Sequence, residues 1–551
     1  MTLETLLSRW RADVQTAPNI STWRVTPARP AKTAPIPNDL PRPLADALRQ
    51  RGISFLYTHQ SAAWTHSRAG KNIVLATSTA SGKTLAYNLP VLAELSQNPK
   101  ATALYLFPTK ALTQDQLSAL SRYPINPLNG TTKQQANVST ATYDGDTPKS
   151  RRPAIRENAR ILLSNPDMLH TGILPHHTKW DGFLANLRYI VIDEMHTYRG
   201  VFGSHVANVI RRLKRIANFY GANPQFILTS ATIGNPAELA EKLIEAPVEL
   251  IDEDGAAQGE RHFLIYNPPV IDEALGLRKS SLMESIRLAG DLIQKDVQSV
   301  VFARSRRAVE IILTQLRENR EKRIESSKNS SFSIQNSALI RGYRSGYLPA
   351  QRREIEAGLR NGDVRLVVAT NALELGIDIG GMGASLLVGY PGGIASTWQQ
   401  AGRAGRGDAP AAAIFVASPN PLDQFLAHHP EYFFARSPDS NCPSRRAKDS
   451  GVSMPRCSGI FSIFSSHRAS CTPPGRHIFG WQTTIRRRAF RSVPHPPKMF
   501  CYKSTRAVIR ARLAKSIWHP PPGWCIRVLS TCTRGSNILC NRSIWRKMWR
   551  R

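Results

Sequence analysis

Short apolar runs alternate with longer, helix-compatible stretches through most of the chain, and this alternation constrains the fold more than any other feature. The runs come in two series, which are separated near residues 245–262. Runs this short and this apolar are typical of strands in a parallel sheet that is covered on both faces. Strands that alternate with helices define an α/β architecture, so the sequence predicts an α/β fold with two parallel sheets. The runs are Asn72–Thr77, Ala103–Pro108, Arg160–Asn165, Tyr189–Asp193, Phe226–Ser230, Ser299–Ala303, Arg365–Thr370, Leu386–Tyr390 and Ala412–Ala417.

The charge of the chain is strongly positive but unevenly distributed. There are 73 Lys and Arg against 40 Asp and Glu, a net charge of +33. Residues 441–551 hold a single acidic residue, Asp449, whereas residues 1–440 are only moderately basic, as suits a nucleic-acid binder. No stretch approaches the ~18–20 apolar residues of a membrane span. The N-terminus does not resemble a signal peptide, so we expect a cytoplasmic protein.

A phosphate-binding loop is predicted directly after the first apolar run. The segment Thr77–Thr84 ends in Gly-Lys-Thr and opens a probable helix. Backbone N–H groups at a helix N-terminus cradle phosphates, the Lys reaches the β- and γ-phosphates, and the Thr hydroxyl binds Mg²⁺. Thr77 occupies the place of the first Gly of the general pattern, so the match is partial. The residues expected around the nucleotide are Thr79, Ala80, Ser81, Gly82, Lys83 and Thr84.

Two adjacent acids end the apolar run Tyr189–Asp193. Asp193 is in position to hold Mg²⁺, and Glu194 is in position to orient and deprotonate an attacking water. The alternative is a solvated acidic turn. Two neighbouring carboxylates at a strand end need a cation, however, and Mg²⁺ with ATP supplies one, so we favour a catalytic pair.

A second basic motif lies in the later series of runs, in the segment Gln399–Arg406. Arg403 and Arg406 are three residues apart, so they share a helix face or flank one turn. From there they can reach across a cleft to the γ-phosphate as arginine fingers, with Gln399 beside them in the nucleotide site. The alternative is a basic surface turn, which the flanking Gly and Gln residues argue against.

Taken together, these motifs resemble those of the superfamily 2 DExH/D-box ATP-dependent helicases. The residues of the motifs are most similar to those of the YprA/MrfA-type DNA-repair helicases, which are relatives of a RecQ-like group. The resemblance covers about residues 50–440. Further segments that carry it are Leu56–Gln60, Leu104–Leu112, Ser164–Leu169, Asp193–Gly200 and Thr370–Asp378.

The resemblance implies two RecA-like domains with ATP and Mg²⁺ in the cleft and a nucleic-acid strand, preferably DNA, across both. It also implies 3′-to-5′ movement and a role in DNA repair. The expected division is residues 1–48 as an N-terminal extension and Pro-rich linker, 49–250 as the first RecA-like domain, 262–440 as the second, and 441–551 as a basic tail.

Individual roles also follow from the resemblance. Gln60 should read the adenine edge, and His196 should link the ATP site to Ser230 and Thr232. Gly376 and Asp378 should lie at the cleft near the ribose and γ-phosphate. The residues implied to contact the nucleic-acid backbone, without reading its sequence, are Thr109, Lys110, Asn165 and Thr370.

The tail departs from the family. Residues 441–551 hold all seven Cys and half of the ten Trp. The family ends in a four-cysteine zinc module, but here no two Cys have zinc-knuckle spacing, so we expect no zinc. When silent bases are chosen freely, the codons of residues 516–550 can be read in a shifted frame as a sequence resembling the family. We therefore expect a frameshift near codon 440 and a disordered tail, which the nucleotides of codons 435–445 would test.

Three other readings compete with a DNA helicase. An RNA helicase of the DEAD-box kind is disfavoured by His196, which stands where that group has Asp, and by the altered phosphate loop. A non-catalytic nucleic-acid-binding remnant of a broken gene would keep the motifs without turnover. A metabolic kinase with a phosphate loop would have no use for the paired Arg motif or the second sheet.

Overall fold

The computed structural model describes residues 3–121, 123, 140–326, 339–376, 380–405 and 407–435. The predicted tail, Asp378 and Arg406 lie outside these residues. The strands are β1 Ile20–Thr26, β2 Thr33–Pro35, β3 Phe55–Tyr57, β4 Ile73–Ala76, β5 Thr102–Leu106, β6 Thr140–Thr142, β7 Ile161–Ser164, β8 Leu187–Ile192, β9 Gln225–Ser230, β10 Glu249–Ile251, β11 Arg261–Tyr266, β12 Val270–Asp272, β13 Leu277–Arg278, β14 Ser299–Ala303, β15 Ile340–Tyr343, β16 Leu366–Ala369, β17 Ala384–Val388 and β18 Ala411–Val416.

Helices connect most successive strands, as the alternating pattern predicts. They are α1 Leu3–Ala12, α2 Arg42–Gln50, α3 Thr58–Arg68, α4 Lys83–Gln97, α5 Lys110–Leu120, α6 Arg152–Asn158, α7 Pro166–Met168, α8 Asp181–Ala185, α9 Gly200–Phe219, α10 Pro236–Ile244, α11 Ser281–Gln294, α12 Arg306–Ser326, α13 Pro349–Asn361, α14 Ile394–Ala401, α15 Pro421–His428 and α16 Pro430–Phe434. Within the described residues, no helix is both long enough and apolar enough to cross a membrane.

Two seven-stranded sheets form two lobes. The first lobe has the strand order β10-β4-β9-β8-β5-β7-β6, and every neighbouring pair is parallel. The second has the order β1-β11-β18-β17-β14-β16-β15, parallel except for the antiparallel edge pair β1 and β11. Each predicted run corresponds to one of these strands, so the expected α/β fold with two parallel sheets is confirmed.

The central strands are buried on both faces, which explains why they read as continuous apolar runs rather than as alternating patterns. In the first lobe Ile73 and Leu75 belong to one apolar cluster, while Val74 belongs to the cluster on the other face. The first of these clusters continues into the second lobe, where it includes Phe302 and Leu373. Apolar packing therefore joins the facing sides of the two lobes.

The N-terminal residues differ from the expected extension and linker. Leu6 and Trp10 of α1 are buried in the core of the second lobe, and the Trp10 indole Nε1–H donates to Asp291 of α11 over 3.1 Å. Strand β1 adds to the edge of the same sheet. Four of its seven residues are exposed and the other three are half-buried, so Ile20–Thr26 lacks the apolar run that identified the other strands. The second lobe thus contains segments from before and after the first lobe.

Candidate nucleotide site between the two lobes

The predicted phosphate loop connects β4 to α4 at the carboxyl end of the first sheet, where ligands of open α/β sheets bind. Gly82 precedes the helix with φ of +84°, a left-handed conformation that favours glycine, and a Cβ there would lie 2.7 Å from Gln60 Nε2 and displace that amide. Ala80 also has positive φ. The loop hydroxyls are partly paired among themselves, since Thr77 Oγ1 and Ser81 Oγ are 2.7 Å apart.

Lys83 is held by the carbonyls of its own loop. Its Nζ donates to Thr77 O over 2.8 Å and to Ser78 O over 2.9 Å. Burial lowers the pKa of this ammonium, while the nearby carboxylates of Glu194 and Asp193 oppose the shift. The phosphates of a nucleoside triphosphate would compensate the buried positive charge of Lys83. One residue further on, Thr84 Oγ1 accepts a hydrogen bond from Gln116 Nε2 over 3.4 Å.

The predicted acid pair follows β8, and both side chains are buried. Asp193 Oδ1 accepts the Glu194 N–H over 3.0 Å and the hydroxyl of Thr229, a residue that sequence reasoning missed. Burial and the Glu194 charge raise the pKa of Asp193 to about 7. A cation bound at this carboxylate would oppose both effects, because an opposite charge stabilises the ionised form of an acid.

Glu194 is arranged differently from its neighbour. Its backbone has φ of +51°, and its Oε1 accepts the N–H of Gly376, from the other lobe, over 3.1 Å. Burial alone would raise the pKa of Glu194, but the charges of His196, Lys83 and Arg403 outweigh it and lower the pKa. The carboxylate is therefore ionised at neutral pH, as a general base must be.

Gln60 contacts protein groups on both sides of its amide. Its Oε1 accepts the Tyr57 N–H over 3.0 Å, and its Nε2 donates to Gly82 O over 3.1 Å. The Tyr57 and His59 rings stack beside it, with centroids 5.7 Å apart. The residue thus ties β3 and α3 to the phosphate loop, and its expected contact with adenine stays a prediction.

His196 reaches the segment after β9 through the backbone rather than through the hydroxyls that were expected. The Ala231 N–H donates to His196 Nδ1 over 3.1 Å. The buried Ser230 Oγ makes no hydrogen bond, and Thr232 is exposed. A backbone partner carries no side-chain signature, so sequence reasoning could not name Ala231. The contact through Ala231 joins His196 to this segment, and the expected role of His196 with Ser230 and Thr232 stays a prediction.

The second lobe brings Arg403 to the cleft, at the end of α14. Arg403 is 5% exposed, and its Nη2 donates to Glu374 O over 2.7 Å. Gln399 is also buried, and its Nε2 makes no hydrogen bond. Gly402 O accepts the hydroxyl of Thr79, from the phosphate loop, over 3.1 Å. The arginine motif and the phosphate loop therefore face each other across the cleft.

The residues expected to contact nucleic acid lie just after the carboxyl ends of their strands, and Lys110 is the first residue of α5. Lys110 Nζ lies 2.7 Å from Asp146 Oδ1, and Asn165 Oδ1 caps α7 by accepting the Met168 N–H over 2.8 Å. The Thr109 hydroxyl is buried without a hydrogen bond, and Thr370 is also buried. Their expected role remains a prediction.

Two parallel α/β lobes that place a phosphate loop, an acid pair and an arginine in one cleft define a RecA-like pair of domains with a candidate nucleotide site between them. Residues 57–239 match the model of the DEAD/DEAH box helicase family, and residues 280–408 match the helicase conserved C-terminal domain. The chain belongs to the DEAD/DEAH box helicases. It is 51% identical over 429 residues to the ATP-dependent helicase YprA of Bacillus subtilis, covering 78% of this chain and 55% of that protein.

Three further helicases are similar to this chain in sequence or in fold. The ATP-dependent helicase HRQ1 of Saccharomyces cerevisiae is 40% identical over 382 residues, covering 68% of this chain and 34% of its own. A crystal structure of the DUF1998 helicase MrfA bound to DNA is 50% identical with a TM-score of 0.73, covering 80% of this chain and 56% of that one. The DEAD-box helicase Mss116 shares the fold at 14% identity, with a TM-score of 0.56 and coverage of 71% of this chain and 76% of that one. This chain spans little more than half the length of YprA.

Proposed function

We propose that this chain hydrolyses ATP and uses the cycle to move along, and unwind, a DNA strand. The observation that carries the proposal is the hydrogen bond from Gly376 N–H to Glu194 Oε1. The Glu194 carboxylate, which is suited to activate water, belongs to the first lobe, whereas the Gly376 N–H, which orients that carboxylate, belongs to the second lobe. Hydrolysis therefore depends on the lobes being together, which is the basis of a motor driven by cleft closure.

The residues fit ATP with Mg²⁺. The lowered pKa of Glu194 keeps its carboxylate ionised, so it can orient an attacking water, and Lys83 can exchange loop carbonyls for phosphate oxygens. Thr84 and Asp193 would hold Mg²⁺, which would neutralise charge on the phosphates. Arg403 lies at the cleft, and Arg406 and Asp378 are proposed to act with it as the motifs imply.

The preference for DNA rests on relatives. MrfA was crystallised with DNA, and with both DNA and AMPPNP. A role in DNA repair, 3′-to-5′ movement and a cytoplasmic location are proposed on the same family resemblance. The residues proposed to contact the strand are Thr109, Lys110, Asn165 and Thr370.

The test is ATP hydrolysis by the whole chain, measured alone, with single-stranded DNA and with single-stranded RNA. The proposal expects strong stimulation by DNA, and loss of turnover in a Lys83→Ala, Glu194→Gln double variant. Stimulation by RNA alone would reassign the substrate. Folded protein that binds DNA without turnover would identify a nucleic-acid-binding remnant and contradict the proposal.

A further inference from the structure

Two connections cross between the lobes, and they are paired with each other. Because β1 belongs to the second lobe, residues 27–41 run from the second lobe to the first, and residues 252–260 return. The Arg29 N–H donates to Gln258 O over 2.7 Å, and the Gln258 N–H donates to Arg29 O over 2.9 Å. Any change of angle between the lobes must therefore move both connections together.

The second connection also contacts the phosphate loop, through Asp254. Its Oδ2 accepts the Ser78 N–H over 3.2 Å as well as the Ser78 hydroxyl, and its Oδ1 accepts the Ala256 N–H over 3.0 Å. Arg29 Nη2 of the first connection lies 3.8 Å away. Burial alone would raise the pKa of Asp254, but the hydrogen bonds from Ser78 and Ala256 outweigh it and lower the pKa. The carboxylate is thus an ionised anchor between the connections and the loop.

The neighbouring Gly255 fixes the same connection to the segment that carries Gln60. Its N–H donates to His59 Nδ1 over 3.2 Å, and its carbonyl accepts the Lys32 N–H over 2.9 Å. A Cβ at this position would lie 2.8 Å from Lys32 O and closer still to the Thr58 hydroxyl. The backbone approach is therefore one that only glycine allows, and it closes a junction of four segments.

We propose that Asp254 is a positioning residue that transmits the occupancy of the phosphate loop to the paired connections between the lobes. The inference rests on the proposed function. Ser78 is the shared element, because its carbonyl accepts Lys83 Nζ while its N–H and hydroxyl bind Asp254. When a nucleotide takes Lys83 from that carbonyl, Ser78 can shift, and Asp254 moves with it.

The surroundings leave room for such a shift. An open pocket of about 470 Å³ lies beside the junction, lined in part by Ser78, Asp254 and Arg29. A tightly packed junction would resist displacement, whereas an adjoining open pocket lets the loop and the connection move without breaking the core. The coupling energy between two such sites is typically worth a 5- to 150-fold effect.

The first experiment needs no turnover. Hydrogen–deuterium exchange is followed at residues 28–33, 77–82 and 252–258, with and without AMPPNP and Mg²⁺, in the whole chain, in Asp254→Asn and in Glu253→Gln. Glu253 is the matched control, since it lies exposed on the same connection. In the parent and the control, AMPPNP should slow exchange in all three segments. In Asp254→Asn only 77–82 should respond. An unchanged response at 252–258 in Asp254→Asn would overturn the proposal.

The second experiment measures hydrolysis. Stimulation by single-stranded DNA should fall at least about 5-fold in Asp254→Asn relative to Glu253→Gln, with the KM for ATP nearly unchanged. If basal and stimulated rates fall equally, Asp254 only supports the fold and the proposal is wrong. If Asp254→Asn does not fold, Ser78→Ala, which removes one of the two donors, decides by the same criteria. A parent chain that hydrolyses no ATP would refute the proposed function, while the exchange experiment would still decide this inference.

Discussion

Gly376 donates its N–H to Glu194 Oε1 over 3.1 Å, and the two residues belong to different lobes. A Cβ on residue 376 would lie 2.5 Å from that same oxygen, so the contact requires glycine. Gly376→Ala should displace the carboxylate and lower kcat for ATP by about 10²-fold, the typical cost of a small misplacement of a catalytic group. The matched control is Gly290→Ala, because a Cβ there meets nothing within 4 Å. Equal kcat values for the two variants would contradict the assigned role of Gly376.

The acid pair should make stability depend on pH. The pKa of Asp193 is about 7 in the folded protein, against roughly 4 in an unfolded chain. Between these values the folded state binds a proton that the unfolded state has lost. The contribution of Asp193 to stability therefore falls as pH rises from about 4 to 7, and it stays low above that.

Asp193→Asn should consequently raise the Tm at pH 8 in the absence of nucleotide and Mg²⁺, by roughly 2–4 °C for each kcal/mol recovered. The amide oxygen can still accept from Thr229 and from the Glu194 N–H. Thermal unfolding between pH 5 and 8 checks this, with the exposed Glu157→Gln as control. A lower Tm for Asp193→Asn than for the parent at pH 8 would rule out the electrostatic account.

Lys110 should contribute one phosphate contact to DNA binding. Lys110→Gln should weaken binding to single-stranded DNA and reduce the slope of log K against log salt by about 0.7, the value for one phosphate contact on a single strand. Fluorescence anisotropy across a salt series measures both. Lys100→Gln is the control. Lys100 lies just before β5, whereas Lys110 lies after it, so the two lysines are at opposite ends of that strand. Identical slopes for the two variants would remove Lys110 from the interface.

The N-terminal helix should stabilise the second lobe. Trp10 is 1% exposed and bonds Asp291, so Trp10→Ala should cost about 3–5 kcal/mol in the free energy of unfolding. Val14, four residues later, is 85% exposed, and Val14→Ala should change stability by less than about 0.5 kcal/mol. Urea denaturation compares them. If both variants unfold at the parent's urea midpoint, the N-terminal helix is dispensable for the second lobe.

The sequence alone located the two sheets, the phosphate loop, the acid pair and the arginine motif. Strands such as β4 and β8 are buried on both faces and so appear as apolar runs, and Gly82 is required by a backbone angle that few other residues adopt. Such local requirements restrict the residue type directly and can therefore be predicted from the sequence. Strand β1 has no such requirement, since it lies at a sheet edge with most of its side chains exposed.

The tertiary structure alone decided which groups meet across distant parts of the chain. Four contacts of the site join residues that are 35 to 182 positions apart in the chain. They are Thr229 with Asp193, the Ala231 N–H with His196, Gly376 with Glu194, and Asp254 with Ser78. Several of these contacts use backbone N–H groups. Because every non-proline residue has such a group, residue type does not predict these contacts. The sequence determined which chemistry each lobe carries. The pairing of the lobes and their connections determined how the pieces form one site, because that depends on how separate segments pack together.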